Sequence, residues 1–412
     1  MVPLSMHQAR WVVPVSSPVL ENGAVVVSGE RIVAVGPAAA LRRQYACRCH
    51  DHGDGAILPA LVNAHVHLEL SALRGRFAPQ SSFGRWLEAA LAEIACLSPA
   101  EMSQGVRQGL AELRRFGTIM VGEVSNTCLS LPLLLESGLD FHYFYECLGF
   151  NLIRTEPLET DFRIFASPWA CNIPNFSAAA HAPYSVSAAL FHGIADWNRR
   201  YGRRNTVHLA ESGEEVQFLN QGNGFFQDLL QHRGRWRADY QPPQCSPVAY
   251  LDRLGFLGPE TLAVHAVWLD PDDREILARR LCWAVLCPRS NLFTGAGFPD
   301  LPELHRAGVR LALGTDSLAS NQDLNLFNEL LTLYQHYPEF PLDQLLALAT
   351  QQGAQALGRG DDLGSLAPGK KAALLFIPLE SESHFWPDLL AAGATGKISW
   401  VGAPGPEGGD GS

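Results

Sequence analysis

"ILPALVNAHVHLEL", residues 57–70, is an apolar run that ends in two histidines, His65 and His67, with a single valine between them. On a strand, side chains alternate between faces, so the two imidazoles point one way and Val66 the other. Two imidazoles on one face can grip one metal ion, or they can be two polar residues at the mouth of a strand. The rest of the chain repeats the pattern. Seven further β-type runs follow: "TIMVGEVSN" (118–126), "DFHYFYECLGF" (140–150), "SAAAHAPYSV" (177–186), "TVHLAES" (206–212), "TLAVHAVWL" (261–269), "CWAVLCPRSN" (282–291) and "RLALGTDSLASN" (310–321). Segments of longer apolar period lie between them, such as "SAALFHGIADWNRRYG" (187–202) and "DPDDREILARRL" (270–281), and read as helices. Eight β/α repeats predict an α/β fold, a TIM (β/α)8 barrel, although an open doubly wound sheet alternates in the same way.

Outside these repeats the pattern changes. Residues 11–36, "WVVPVSSPVLENGAVVVSGERIVAVG", are Val-rich runs broken by Pro, Asn-Gly and Gly-Glu turn signals, and 363–377, "LGSLAPGKKAALLFI", is similar. The two chain ends are therefore expected to pair into a small β-sandwich domain. Residues 1–56 and 358–403 would form that domain, 57–357 the barrel, and 404–412 a disordered tail.

Composition narrows the function. The 412 residues are 47% hydrophobic, enough for a large core, and carry a net charge of −11. Phosphate backbones need clustered Lys and Arg, so nucleic acid is not the expected partner. No apolar run is long enough for a membrane span, and no signal-like N-terminus is present. A cytoplasmic enzyme acting on a small molecule is expected, with a homodimer left open. Nine cysteines without regular spacing suit reduced thiols. "CRCHDH" (47–52) imitates a metal cluster, but its Gly-rich approach to a strand favours a structural role.

In a TIM barrel the chemistry gathers at the C-terminal ends of the strands. There stand His65, His67, His181, His208 and His265, five of the fourteen histidines, and Asp316. Three neutral imidazoles and one carboxylate suit a single divalent transition metal, zinc or else iron, and leave a position open for water. Such a water needs a group that carries its proton onward, and Glu211, three residues past His208, is placed to do so. The alternative for Glu211 is a cap on the following helix.

Taken together, "NAHVHLELSALRG", "HAPYSVS", "HLAES", "AVHAVWL", "CPRSN" and "LGTDSLASN" resemble the ordered motifs of the amidohydrolase superfamily, most closely its deaminases. The resemblance implies metal ligands His65, His67, His208 and Asp316, with Glu211 moving protons, His265 orienting the attacking hydroxide and Asp316 accepting the water's first proton. It also implies that His181 touches the sugar or tail of an adenine-type nucleoside. Many hydrolases of this superfamily bridge two metals with a carboxylated barrel lysine; here the only lysines are Lys370, Lys371 and Lys397, so one metal is expected.

"NAHVHLELSALRG", the segment "FGRWL" around Trp86, and "LGTDSLASN" are most similar to 6-amino-6-deoxyfutalosine deaminases of the menaquinone pathway, with adenosine-type deaminases as the alternative. A benzoate-bearing substrate would call for an arginine at the mouth, and Arg154 and Arg289 are the candidates. Amide or triazine hydrolysis uses the same metal frame. A cytidine-deaminase zinc site is excluded, because "HLE" (67–69) is followed by no Pro-Cys-x-x-Cys.

Overall fold

Alternating valines build the first sheet. In the computed structural model, which describes residues 3–153, 158–379 and 384–401, β1 (Leu4–Val12), β2 (Leu20–Ser28) and β3 (Arg31–Pro37) form an antiparallel meander. β4 (Arg48–Asp51) and β5 (Gly55–Pro59) run parallel to successive halves of β1. On β2, Ala24 and Val26 pack with Ala38 and Leu41 of the helix Ala38–Gln44, whereas Val25 and Val27 pack with Ile32, Leu366 and Leu374. That period of two marks a strand buried on both faces.

The barrel strands follow as β6 (Leu61–Val66), β7 (Thr118–Ser125), β8 (Asp140–Cys147), β9 (Phe176–Ala180), β10 (Asn205–Leu209), β11 (Thr261–His265), β12 (Trp283–Leu286) and β13 (Arg310–Leu313). They pair in parallel as two runs of four, β6 to β9 and β10 to β13. Hydrogen bonds join the runs at both seams. His208 N donates to His181 O at 2.9 Å, past the end of β9, and Thr315 N and Asp316 N, past the end of β13, each donate to His65 O at 3.2 Å. The ring of strands is thus closed, which is the TIM barrel and not the doubly wound sheet. Val62, Met120 and Phe144 of the first run and Val264, Val285 and Ala312 of the second share one apolar cluster, the lumen, while Leu61, Val121, Tyr143, Ala263, Leu286 and Leu311 belong to the larger cluster outside it.

The run expected to start the barrel at 57 divides at Ala60. Residues up to Pro59 lie in β5 of the terminal sheet and the barrel strand starts at Leu61, with Ala60 N bonded to Ala373 O and Leu61 N to Gly117 O at the hand-over. The chain's other end completes that sheet: β14 (Leu374–Pro378) pairs antiparallel with β5 and with β15 (Ser399–Val401). The result is one seven-stranded sheet of order β15-β14-β5-β1-β2-β3, with β4 on β1. Among the described residues no helix is long and apolar enough to cross a membrane. The tail expected to be disordered, 404–412, lies outside the described residues.

Candidate metal centre

Val62 and Ala64 face the lumen, so an unbroken β6 would send His65 outward. The pairing of β6 with β7 slips between Asn63 and Val66, Val66 joins the outer cluster, and His65 and His67 come together at the mouth with ring centroids 4.8 Å apart. Two glycines give the slip its room. A Cβ on Gly122 would stand 2.3 Å from Ala64 O, and one on Gly314 would stand 2.9 Å from His65 Cβ.

Four side chains converge there. His67 Nε2 and His208 Nε2 are 3.2 Å apart, and Asp316 Oδ1 lies 3.7 Å from His65 Nε2 and 3.9 Å from His67 Nε2. His208 is oriented by its Nδ1, which donates to His181 O at 2.8 Å and leaves Nε2 as an acceptor. Asp316 is oriented by Ser290 and Ser320, whose hydroxyls donate to Oδ2 at 2.6 and 2.9 Å. Burial, reinforced by His65, pushes His67 down to about 3, and burial with His181 holds His208 well below the usual imidazole range. Burial opposes charge on Asp316, but the facing imidazoles of His65, His67 and His265 outweigh it and hold that carboxyl well below its usual range. Neutral imidazoles beside an anionic carboxylate form the donor set of a divalent transition metal. Both ring nitrogens of His65 are buried with no hydrogen-bond partner, a costly arrangement that a cation on one of them relieves.

Across the centre sits Glu211. It does not cap the helix Gly213–Gln221; Ser212 does, accepting from Glu215 N, while the Glu215 carboxylate accepts from Ala210 N and Glu211 N. Glu211 is therefore free to face the site, with Oε1 3.5 Å from His265 Nε2. Burial, then Asp316 and Glu215, raise its carboxyl well above the usual range, which favours the protonated form. His265 Nδ1 bonds Asn291 Oδ1 at 2.8 Å, which fixes the ring proton on Nδ1 and turns an Nε2 lone pair inward. Burial above all keeps this ring neutral, at about 4. Ala210, His265 and Asp316 adopt left-handed backbone, φ 52°, 75° and 56°, a strain that non-glycine residues sustain mainly at functional sites.

His67, His208, Glu211, His265 and Asp316 line a cavity of about 190 Å³ at the C-terminal mouth of the barrel, with His65 buried beside them. Trp86 and His181 line it too; Trp86 Nε1 donates to Ala319 O at 3.3 Å and His181 Nδ1 meets Ser185 Oγ at 2.6 Å. Arg289 does not line it. Its guanidinium is engaged by Asp323 in two hydrogen bonds of 2.7 and 3.0 Å, and its backbone N donates to buried Glu329, so its charge is neutralised behind the Asp316 loop. Arg154 lies outside the described residues. A larger opening of about 780 Å³, lined by Arg204, Trp283 and Arg310, sits at the N-terminal ends of the strands, away from every group named above.

One lining residue escapes the sequence reading. Glu146, at the end of β8, is buried with Oε1 unpartnered and 3.7 Å from His208 Nδ1. Its donor atoms and those of His181 and His208 lie within 4.8 Å of one another. That trio is no second cation site, since the one free lone pair of His208 serves the first. Burial, then Asp316 and Glu69, push Glu146 up to about 8; a divalent charge at the centre acts in the opposite sense. The signal was a lone carboxylate closing the apolar run "FHYFYECLGF" (141–150).

Comparison with known proteins agrees with this geometry. The model described as Amidohydrolase family matches residues 56–393, and one described as Imidazolonepropionase-like composite domain, bacteria, matches residues 23–46. A 5-methylthioadenosine/S-adenosylhomocysteine deaminase of Syntrophobacter fumaroxidans is 31% identical over 383 residues, covering 87% of this chain and 80% of that one. An aminodeoxyfutalosine deaminase of Deinococcus radiodurans is 31% identical over 351 residues, covering 82% and 81%. Among solved structures, an adenosine deaminase from Xanthomonas campestris with bound zinc superposes with a TM-score of 0.80 at 29% identity, covering 96% of this chain and 90% of that one. Helicobacter pylori aminofutalosine deaminase, at 24% identity and a TM-score of 0.81 over 95% and 96% of the two chains, shares the fold.

Proposed function

The chain belongs to the amidohydrolase family, and on that premise we propose that it is a metal-dependent hydrolase that releases ammonia from an adenine-type nucleoside. One observation carries the reading. His67, His208 and Asp316, with buried His65 beside them, share a cavity wall with a separate Glu211, whose surroundings favour its protonated form, beside an unprotonated His265 Nε2. Deamination of a ring amidine asks for both halves: an activated water, and an acid for the ring nitrogen next to the attacked carbon.

His65, His67, His208 and Asp316 would hold a divalent ion, zinc by the chemistry of the set, which would lower the pKa of a water toward neutrality. Glu211 gives its proton to the ring nitrogen as the adjacent carbon becomes tetrahedral. His265 Nε2 accepts a hydrogen bond from the attacking oxygen and aims it, with Asn291 holding the tautomer. Asp316 Oδ1, the oxygen not used by Ser290 and Ser320, takes the water's first proton. Asp316 passes that proton to the amino group, which leaves as ammonia when the carbon–nitrogen bond breaks. Glu211 regains a proton from the hydroxyl of the tetrahedral centre, which becomes the ring carbonyl.

Within this class the first choice of substrate is 6-amino-6-deoxyfutalosine, which would place the protein in menaquinone synthesis. It is supported by the resemblance of "NAHVHLELSALRG" and the Trp86 segment, and by the name of the D. radiodurans relative. The cavity favours a second reading. Its described lining contains no Arg or Lys to meet a benzoate, and Leu87, Leu91, Ile94 and Met102 make one wall apolar. Such a wall suits an adenine nucleoside with an uncharged tail, such as methylthioadenosine. Ammonia release from adenosine, methylthioadenosine, S-adenosylhomocysteine and aminofutalosine separates these. A preference for aminofutalosine establishes the first and for methylthioadenosine the second, whereas silence on all four would move the protein to amide or triazine hydrolysis.

A further inference from the structure

We propose that Glu146 is the residue that recognises the sugar of the substrate, its carboxyl taking the two vicinal ribose hydroxyls side by side. The inference rests on the adenine-nucleoside reading above.

Position argues first. Around the barrel mouth the cation-binding residues come from the ends of β6, β10 and β13, and Glu211 follows β10. The attacked carbon and its neighbouring ring nitrogen must lie between those groups. The rest of the nucleoside then extends across the cavity, toward the ends of β8 and β9, where Glu146 and His181 stand.

Chemistry argues second. Glu146 is 6% exposed, and its Oε1 is buried without a hydrogen-bond partner. Buried carboxylate oxygens are normally satisfied; Oε1 is closed in against the His208 ring, 3.7 Å from its Nδ1, so the carboxyl lacks a donor, and Glu146 lines the cavity from which a ligand can supply one. His208 Nδ1 cannot be that donor, since its proton goes to His181 O. His181 turns its Nδ1 to Ser185 Oγ, so only its Nε2 remains for the same ligand. A carboxyl group with two oxygens in one plane matches a cis-diol, whose two hydroxyls are spaced to meet both. An aromatic base offers nothing equivalent on that side, and the apolar wall offers Glu146 no partner either.

The test compares adenosine with 2′,3′-dideoxyadenosine, which presents the same ring to the reacting groups but no diol. Wild-type protein should prefer adenosine in kcat/KM by about tenfold to a hundredfold, the range for hydrogen bonds to a buried charged group. In Glu146→Gln that preference should shrink at least about tenfold, mainly through a higher KM for adenosine, with metal content and melting temperature measured on the same sample. Glu146→Asp, which retains the carboxyl but withdraws it by one methylene, should lie between the two and gives the result should the glutamine variant fail to fold. A wild-type enzyme indifferent to the diol, or variants that lose activity on both nucleosides in equal proportion, would overturn the assignment. If the wild type releases ammonia from none of adenosine, methylthioadenosine, S-adenosylhomocysteine and aminofutalosine, the deaminase reading itself fails and takes this inference with it; where it acts on one of the last three and not on adenosine, that nucleoside and its own 2′,3′-dideoxy analogue make the same comparison.

Discussion

Glu211 shows how a single carboxyl acquires a chemical role from its surroundings. Its neighbours Ser212 and Glu215 satisfy the backbone at the start of the helix, which leaves it facing Asp316 and His265 in a site that disfavours its charge. Glu211→Gln has nearly the same shape but no proton of suitable acidity. It should lower kcat by about 10²- to 10⁴-fold in an ammonia-release assay while bound metal, measured in parallel, stays at the wild-type level. Much at this scale was legible in the sequence, because His65, His67, His208, His265, Glu211 and Asp316 each sit where a strand ends, and the closed barrel brings those ends to one mouth. What was not legible depended on direction. Arg289 lies beside Ser290 in sequence, yet its guanidinium turns away to Asp323, and nothing in "CPRSN" encodes that turn. Glu146 looked like one polar residue in an apolar run, and only the closure of the barrel shows that it faces inward.

At the scale of elements, periodicity foretold the strands but not their partners. The run 57–67 reads as one strand, and its division at Ala60 between two sheets follows from pairing with β14, more than three hundred residues away. The slip in β6 is equally silent in sequence, for it depends on Gly122 and Gly314 lying on either side. The segment "CRCHDH" finds its explanation here as well. β4 pairs with β1 so that His50 lies in register with His7, their rings stacked 5.0 Å apart, and His52 Nε2 meets His7 Nδ1 at 3.1 Å. Burial, then His52 and His50, push His7 down to about 4 from 6.5, and Asp51 is the acidic neighbour on the same strand. Between those two values the unfolded chain binds the extra proton, so the contribution of His7 is complete above pH 6.5 and is lost as pH falls toward 4. The difference in melting temperature between wild type and His7→Gln should therefore change across that window, the wild type falling more steeply on acidification. Parallel curves would show that His7 does not titrate with folding.

The whole molecule is organised around the proposed metal centre. Both chain ends are tied into a single sheet, the barrel closes at two seams, and one of those seams, His65 O with Thr315 N and Asp316 N, joins two of the residues proposed to hold the metal. A ligand that binds the folded state alone stabilises it by mass action, so loss of the metal should lower the melting temperature along with activity. Metal analysis of the purified chain, coupled to ammonia release from an adenine nucleoside, puts this to the most direct test. The expected result is one equivalent of divalent metal per chain, lost together with activity on chelation and restored with it by zinc. A metal-free protein that deaminates at the full rate, or one that needs two equivalents, would contradict the account.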